Sequence, residues 1–281
     1  MGTELERIAE LARKRPGEKL TTLMHHINRE TLTECHRAME GDKAVGVDGI
    51  DKDAYGKDLD GNIVRLLERM RAGSYRPKPV RRTHIPKPGS DKMRPLGIPC
   101  HEDKMVQMQT SRILEAIYEQ EFLDCSFGFR HGRGCHDALK VLGRAIERKR
   151  INYVVDADIK GFFDNVDHTM LMKFLQMRIG DPKLLSLIKR ILVAGVVEDG
   201  HLMPTDKGVP QGGPASAVLA NVYLHHVLDR WFMEVVKEYC KGEAYIIRYA
   251  DDFLWKSFHR KSYGKFFAME SFPPKPAIQA A

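Results

Sequence analysis

Long apolar runs are missing from the 281 residues: ILVAGVV at Ile191–Val197 falls far short of the ~20 residues that a membrane-spanning helix needs. The opening stretch, MGTELERIAELARKRPGEKL, has no apolar core of the secretory kind. The five cysteines (Cys35, Cys100, Cys125, Cys135 and Cys240) are odd in number, scattered, and without a Cys-x-x-Cys pair. That pattern argues against a zinc site or a disulfide frame and for a reducing compartment. Internal repeats and low-complexity tracts are also absent. Together these absences predict a soluble, cytoplasmic protein with no membrane partner.

What is present is a chain able to build a core, with 43% hydrophobic and 30% charged residues, long enough for one large domain or two modest ones. The net charge of +7 points to a polyanionic partner. Its distribution says more than its size. From Arg76 to Arg94 the text reads RPKPVRRTHIPKPGSDKMR, with seven Lys or Arg against one Asp. A solvated loop would read this way too, but such one-sided density, Arg81 and Arg82 included, fits phosphate contact better.

Helical spacing is expected over residues 4–15 and 21–40, the second opening at Thr21-Thr22, and over about 60–72, stopping at Gly73. Pro77, Pro79, Pro86 and Pro88 forbid helix in the next region, so Val80–Ile85 and Met93–Ile98 are expected as a hairpin around Pro88-Gly89. Further helices are expected at His101–Tyr118, with Met105, Met108, Ile113, Leu114 and Ile117 in the core, and at Cys135–Arg148. Others are placed at about 167–178, at 182–194, and from Ala215 to about Tyr239. Tyr153–Ile159 reads as a buried strand, and Ala244–Ala250 with Phe253–Trp255 as a second hairpin. Several helices on few strands make an α+β fold.

That last hairpin is interrupted by Asp251-Asp252 within IIRYADDFLW, although Asp suits strands poorly. An acidic turn is the plain explanation. A second strand, however, also ends in a carboxylate, Asp158. Were the two strands sheet neighbours, three carboxylates would share one rim, and a divalent cation would offset the cost. Oxygen-only ligands select Mg²⁺ or Mn²⁺, and an ion pair about 4 Å apart suits in-line phosphoryl transfer.

The same residues resemble a known family. Tyr249-Ala250-Asp251-Asp252 looks like the catalytic signature of reverse transcriptases, and the chain follows their blocks in order. RPLGIP (Arg94–Pro99) and SFGFRHGRGCHDAL (Ser126–Leu139) resemble the fingers blocks. DIKGFFDNVDH (Asp158–His168) resembles the first palm block, and GVPQGGPASAVLANVYL (Gly208–Leu224) the Pro-Gln-Gly block. GVDG with SYRPKPVRRTHIPKPG is similar to the N-terminal extension of group II intron-encoded reverse transcriptases. The likeness runs from about Lys19 to Phe253.

The resemblance implies a right-hand polymerase, fingers and palm, with an antiparallel palm sheet packed on helices. Its reaction would be RNA-directed DNA synthesis with two Mg²⁺ ions, Mn²⁺ able to replace them. Template RNA, primer or growing DNA, deoxynucleoside triphosphates and the parent intron RNA would be the partners. Asp158 and Asp251 would ligate both metals, Asp252 would support them, and the Ile159 carbonyl would be a further ligand. Phe163 would exclude a 2′-hydroxyl, Gln211 would contact the incoming nucleotide, and Lys87 and Arg94 would hold the triphosphate. Arg130, His131 and Arg133 in the GFRHGRG loop suit template and primer contact, and a solvated loop explains them equally well.

Each residue has a plainer reading: Phe162 and Phe163 as core, Gln211 as loop chemistry, Lys87 and Arg94 as surface charge. Asp156 lies on the same face as Asp158 and rivals it; Asp164 and Asp167 read as helix-start residues. His101, His131, His136 and His168 read as loop or capping positions. The expected division is 1–72 as a helical extension, 73–150 as fingers, 151–255 as an incomplete palm, and 256–281 as an atypical tail. After Phe253 the family's palm helix, Glu-Lys-Thr stretch and thumb are expected and not found, so a truncated copy is expected. An RNA-binding remnant that no longer polymerises, and a two-metal nuclease, are the rival functions.

Overall fold

Polar caps set several of the helix starts. In this computed structural model, which describes residues 2–86, 89, 91, 93–148, 153–240, 243–257 and 278–280, the helices in chain order are α1 (Gly2–Lys14), α2 (Arg29–Ala38), α3 (Lys52–Gly56), α4 (Leu59–Arg71), α5 (His101–Tyr118), α6 (Cys135–Arg148), α7 (Phe162–Asn165), α8 (His168–Arg178), α9 (Pro182–Leu192), α10 (Ser216–Leu224) and α11 (Lys237–Tyr239). The strands are β1 (Val80–Pro86), β2 (Met93–Ile98), β3 (Tyr153–Ile159), β4 (Val196–Glu198), β5 (His201–Met203), β6 (Ala244–Tyr249), β7 (Asp252–Ser257) and β8 (Ile278–Ala280).

Asp51, Asp58, Asp167 and Asp181 cap α3, α4, α8 and α9 through side-chain oxygens that accept from backbone N–H groups. The expected start at Thr21-Thr22 moves to Asn28. Asn28 and Thr31 each accept from the other's backbone N–H at 3.0 Å, a reciprocal capping box stronger than a lone threonine. A separate 3₁₀ turn, Met24–His26, precedes it.

The chain divides into two compact units. The first comprises Met1–Gln120 and Val166–Ala217. Its sheet runs β2-β1-β4-β5. β1 and β2 form the expected basic hairpin, with Ile85 opposite Arg94, and the short β4–β5 hairpin was not foreseen. Helix α5 is the core of this unit: Met105, Val106, Ile113, Leu114 and Ile117 are buried, while Met108 is half-buried and lines a surface cavity of about 590 Å³. Each fully buried aliphatic side chain contributes on the order of 2 kcal/mol. Buried Arg178 on α8 donates to the carbonyls of Ala12, Arg15 and Glu18, which ties the N-terminal segment down.

The second unit comprises Glu121–Asn165 and Val218–Ala281. Its sheet, β6-β7-β3-β8, is antiparallel throughout. β3 was expected to be buried, but it alternates: Ala157 and Ile159 face inward, and Val154, Asp156 and Asp158 are exposed. The strand therefore follows the two-residue period, with Asp156 and Asp158 on its exposed face. The helical run that opens with α10 continues through two π-helical turns, His225–Asp229 and Phe232–Val236, into α11. Phe232 meets Trp255 of β7 edge-on, and Ala138 and Leu142 of α6 pack on Phe127 and Ile247. Among the described residues no helix is long and apolar enough to cross a membrane.

Candidate active site

The register of β3 against β7 sets Asp158 opposite Asp252. Directly opposed residues on adjacent strands put their side chains on one face, and two like charges there repel. Both are exposed, and so is Asp156, two residues back on the same face opposite Leu254. Asp251 follows Ala250 in the tight turn between β6 and β7. Among the described residues no group of three or more His, Cys, Asp or Glu is placed to hold a metal ion by itself. Mg²⁺ does not require one, since it takes one or two carboxylates and completes its shell with water and substrate phosphates. An exposed pair of opposed carboxylates, offering only oxygen donors, fits a hard dication.

Sequence reasoning missed what lies beneath this turn. Ala250 adopts φ +58°, a left-handed conformation uncommon outside glycine. A Cβ on Gly128 would sit 2.9 Å from the Tyr249 carbonyl carbon and closer still to Ala250 N, so only glycine lets the two backbones meet. Phe127 N donates to Arg248 O at 2.9 Å, and Arg248 N donates to Cys125 O at 2.8 Å. The Arg248 side chain is wholly buried among Asp229, Asn221 and Ser126. A cation in the middle of an apolar strand was the available signal. Nearby, burial pushes His225 and His226 down to about 4 and the Cys125 thiol up to about 12.

The remaining candidates separate. Phe162 is core, 4% exposed, whereas Phe163 is half-buried, its ring edge-on to Phe129 at 6.3 Å. Ile159 is buried at the end of β3. In the first unit, Gln211 lies in a loop locked onto β2: Gly97 N donates to Gln211 O at 2.6 Å, and Gly212 adopts φ +108° against Gly97 O. Arg94 is exposed on β2; Lys87 lies outside the described residues. Arg81 donates to Val45 O, and Arg82 approaches Glu198 at 3.9 Å.

Arg130 is 7% exposed, donates to the Leu123 and Ser126 carbonyls, and lies over the Phe122 ring, so it braces its own loop. Arg133 pairs with Asp124 at 2.6 Å. Asp167 caps α8, as expected, and Asp164 lies in the first turn of α7. His168 binds Gly208 O, whereas His101 is buried 3.0 Å from His36.

An antiparallel sheet backed by helices, with opposed aspartates at a β-turn, is the palm of a right-hand polymerase. Among solved structures, the chain superposes on one titled "Partial Cas6-RT-Cas1--Cas2 complex" with a TM-score of 0.52 at 21% identity, over 86% of this chain and 39% of that one. The sequence profile of the family "Reverse transcriptase (RNA-dependent DNA polymerase)" matches residues 85–268, running past Phe253, where the likeness was expected to stop. The chain belongs to the reverse transcriptase family. It is 38% identical over 232 residues to the group II intron-encoded protein LtrA of Lactococcus lactis subsp. cremoris, covering 82% of this chain and 38% of that protein. It is 31% identical over 285 residues to protein YkfC of Escherichia coli K12, covering 90% of this chain and 74% of that one. The chain thus spans well under half the length of LtrA. Polymerases of this family use divalent metal ions.

Proposed function

We propose that the protein is an RNA-directed DNA polymerase of the group II intron type, extending a primer 3′-hydroxyl with deoxynucleoside triphosphates on an RNA template. The observation that carries this reading is the register that opposes Asp158 and Asp252 beside Asp251, in a chain of this family. Two Mg²⁺ ions (or Mn²⁺) held by Asp158 and Asp251, with Asp252 and the Ile159 carbonyl in support, would activate the primer hydroxyl and neutralise the departing pyrophosphate.

The chain's own residues orient the reactants. Phe163, half-buried while Phe162 fills the core, presents an apolar ring to the sugar and disfavours a 2′-hydroxyl. Gln211, on a loop fixed by Gly97 and Gly212, contacts the nucleotide. Arg94 and Lys87 hold the triphosphate, Arg by its bidentate fork. Arg81, Arg82 and Arg133 contact template and primer phosphates, with Arg130 bracing the Arg133 loop. The parent intron RNA is a further partner. We divide the chain into a helical extension (1–72), fingers (73–150), palm (151–255) and tail (256–281). Its five free cysteines suit the cytoplasm.

Primer extension on a defined RNA template tests the reading. Template-dependent incorporation that requires Mg²⁺ and is lost in Asp158→Asn supports it. Tight RNA binding with no incorporation, or release of nucleotides without added triphosphates, would overturn it in favour of a binding remnant or a nuclease.

A further inference from the structure

Arg248 and Asp229 are both wholly buried, and the guanidinium uses all five of its N–H donors. Nε and Nη2 grip the Asp229 carboxylate, each at 2.7 Å. Nη2 also donates to Ser126 Oγ at 2.6 Å, and Nη1 to Asn221 Oδ1 at 3.0 Å. The fifth bond runs from Nη1 to the carbonyl of Ala250 at 2.9 Å. Asn221 in turn donates from Nδ2 to Gly128 O at 2.9 Å. One buried cluster therefore holds both backbone segments that meet under the aspartate turn.

Stability alone does not account for such a pair, because apolar residues of similar volume often serve as well or better. An apolar pair cannot donate to Ala250 O. That residue sits in a strained region, and strain of this kind persists only where the surroundings over-determine it. Asp229 ends a π-helical turn, a feature frequent at functional sites, on the helix that also supplies Asn221.

We propose that Arg248, held by Asp229, is a positioning residue for the Ala250–Asp251 turn: its fifth donor fixes the Ala250 carbonyl and so the direction in which Asp251 is presented. The consequence for metal binding rests on the reading of Asp158, Asp251 and Asp252 as the metal-holding carboxylates.

The test uses Arg248→Met/Asp229→Leu, which removes donor and charge together while keeping apolar bulk, with Ser126→Ala as a milder variant and Arg248→Lys as a charge-retaining one. Amide exchange across Tyr249–Asp252, Mn²⁺ affinity by paramagnetic resonance of the free ion, and thermal unfolding are measured on the full chain. In the double variant exchange should rise about tenfold or more, while the fold is kept. Mn²⁺ affinity should fall by a similar factor. Ser126→Ala should show both changes at a few-fold, and Arg248→Lys should not rescue, having three donors for five acceptor contacts.

A folded double variant with wild-type exchange overturns the proposal. Should that variant not fold, unchanged exchange in Ser126→Ala does so. Absence of Mn²⁺ binding in the wild type, or undiminished binding in Asp251→Asn, overturns the metal reading instead, and the exchange measurement still decides the role of Arg248.

Discussion

Asp252 on β7 stands directly opposite Asp158 on β3, at the open end of a six-pair antiparallel register. Like charges in that position destabilise by about 0.2–1 kcal/mol. Neutralising one of them should therefore stabilise the metal-free protein. We expect Asp252→Asn to melt slightly higher than wild type in chelator. With saturating Mg²⁺ the order should invert, because the wild type, with its supporting carboxylate intact, would gain more than the variant from an ion that binds the folded state. Thermal unfolding with and without Mg²⁺ checks both signs, and equal Mg²⁺ responses in the two proteins would remove Asp252 from the site.

Gly128 and Gly143 make a matched pair. At Gly128 a methyl group would collide with backbone of Tyr249 and Ala250, which cannot swing aside as a side chain would. Gly128→Ala should cost about 1–3 kcal/mol and loosen the aspartate turn. Gly143, inside α6, has nothing within 4 Å of where its Cβ would lie. Gly143→Ala should stabilise by about 0.5–1 kcal/mol through helix propensity. Denaturant midpoints of the two variants on opposite sides of wild type would bear this out.

Much of this architecture was legible because its signals are local. The bounds of α5, α6, β2 and β3 follow from periodicity and punctuation by Pro and Gly; that Asp158 and Asp252 lie near strand ends was legible too, but their opposition comes from the long-range register of β3 against β7. What was not legible depends on partners distant in the chain. β4 and β5 are three residues each, with too little length for a pattern, and β4 finds its place through parallel pairing to β1. Arg248 reads as a lone cation until Asp229, Asn221 and Ser126 are brought around it. The burial of Arg130 depends on the carbonyls of its own loop, which composition does not reveal. The alternation of β3 was hidden because Val154 and Val155 differ in exposure but not in chemistry.

Acid should weaken the fold through histidine. Burial lowers His101, His225 and His226 to about 4, against about 6.5 in the unfolded chain. Between those values the unfolded state binds more protons, so this contribution is complete above about pH 6.5 and is lost as pH falls toward 4. Asp103, raised to about 6 by burial, acts oppositely: its contribution is present at low pH and is lost as pH rises through 6. Three imidazoles outweigh one carboxyl, so net stability should decline on acidification. His101 faces His36 at 3.0 Å, where two imidazolium ions would also repel. Urea midpoints at about pH 4.5 and pH 7 measure the slope, and His101→Gln should flatten it.

Phe162 and Phe163 are neighbours in sequence with opposite expected consequences. Phe162 is 4% exposed, with Tyr223 and Phe163 around its ring. Phe162→Ala should cost on the order of 3–5 kcal/mol, the usual range for emptying a buried aromatic site. Phe163 keeps part of its ring uncovered and has Phe129, itself 53% exposed, edge-on beside it. Its removal empties less core and should cost about 1–2 kcal/mol. The functional effects should be reversed. An apolar ring against the sugar discriminates by leaving a 2′-hydroxyl without room or partner, so Phe163→Ala should raise ribonucleotide incorporation relative to deoxynucleotide by about tenfold or more. Steady-state incorporation of each triphosphate, read as a ratio of kcat/KM, cancels any loss of folded protein. A ratio unchanged in Phe163→Ala would return that ring to the core, and a ratio changed equally in Phe162→Ala would show that the wall is shared.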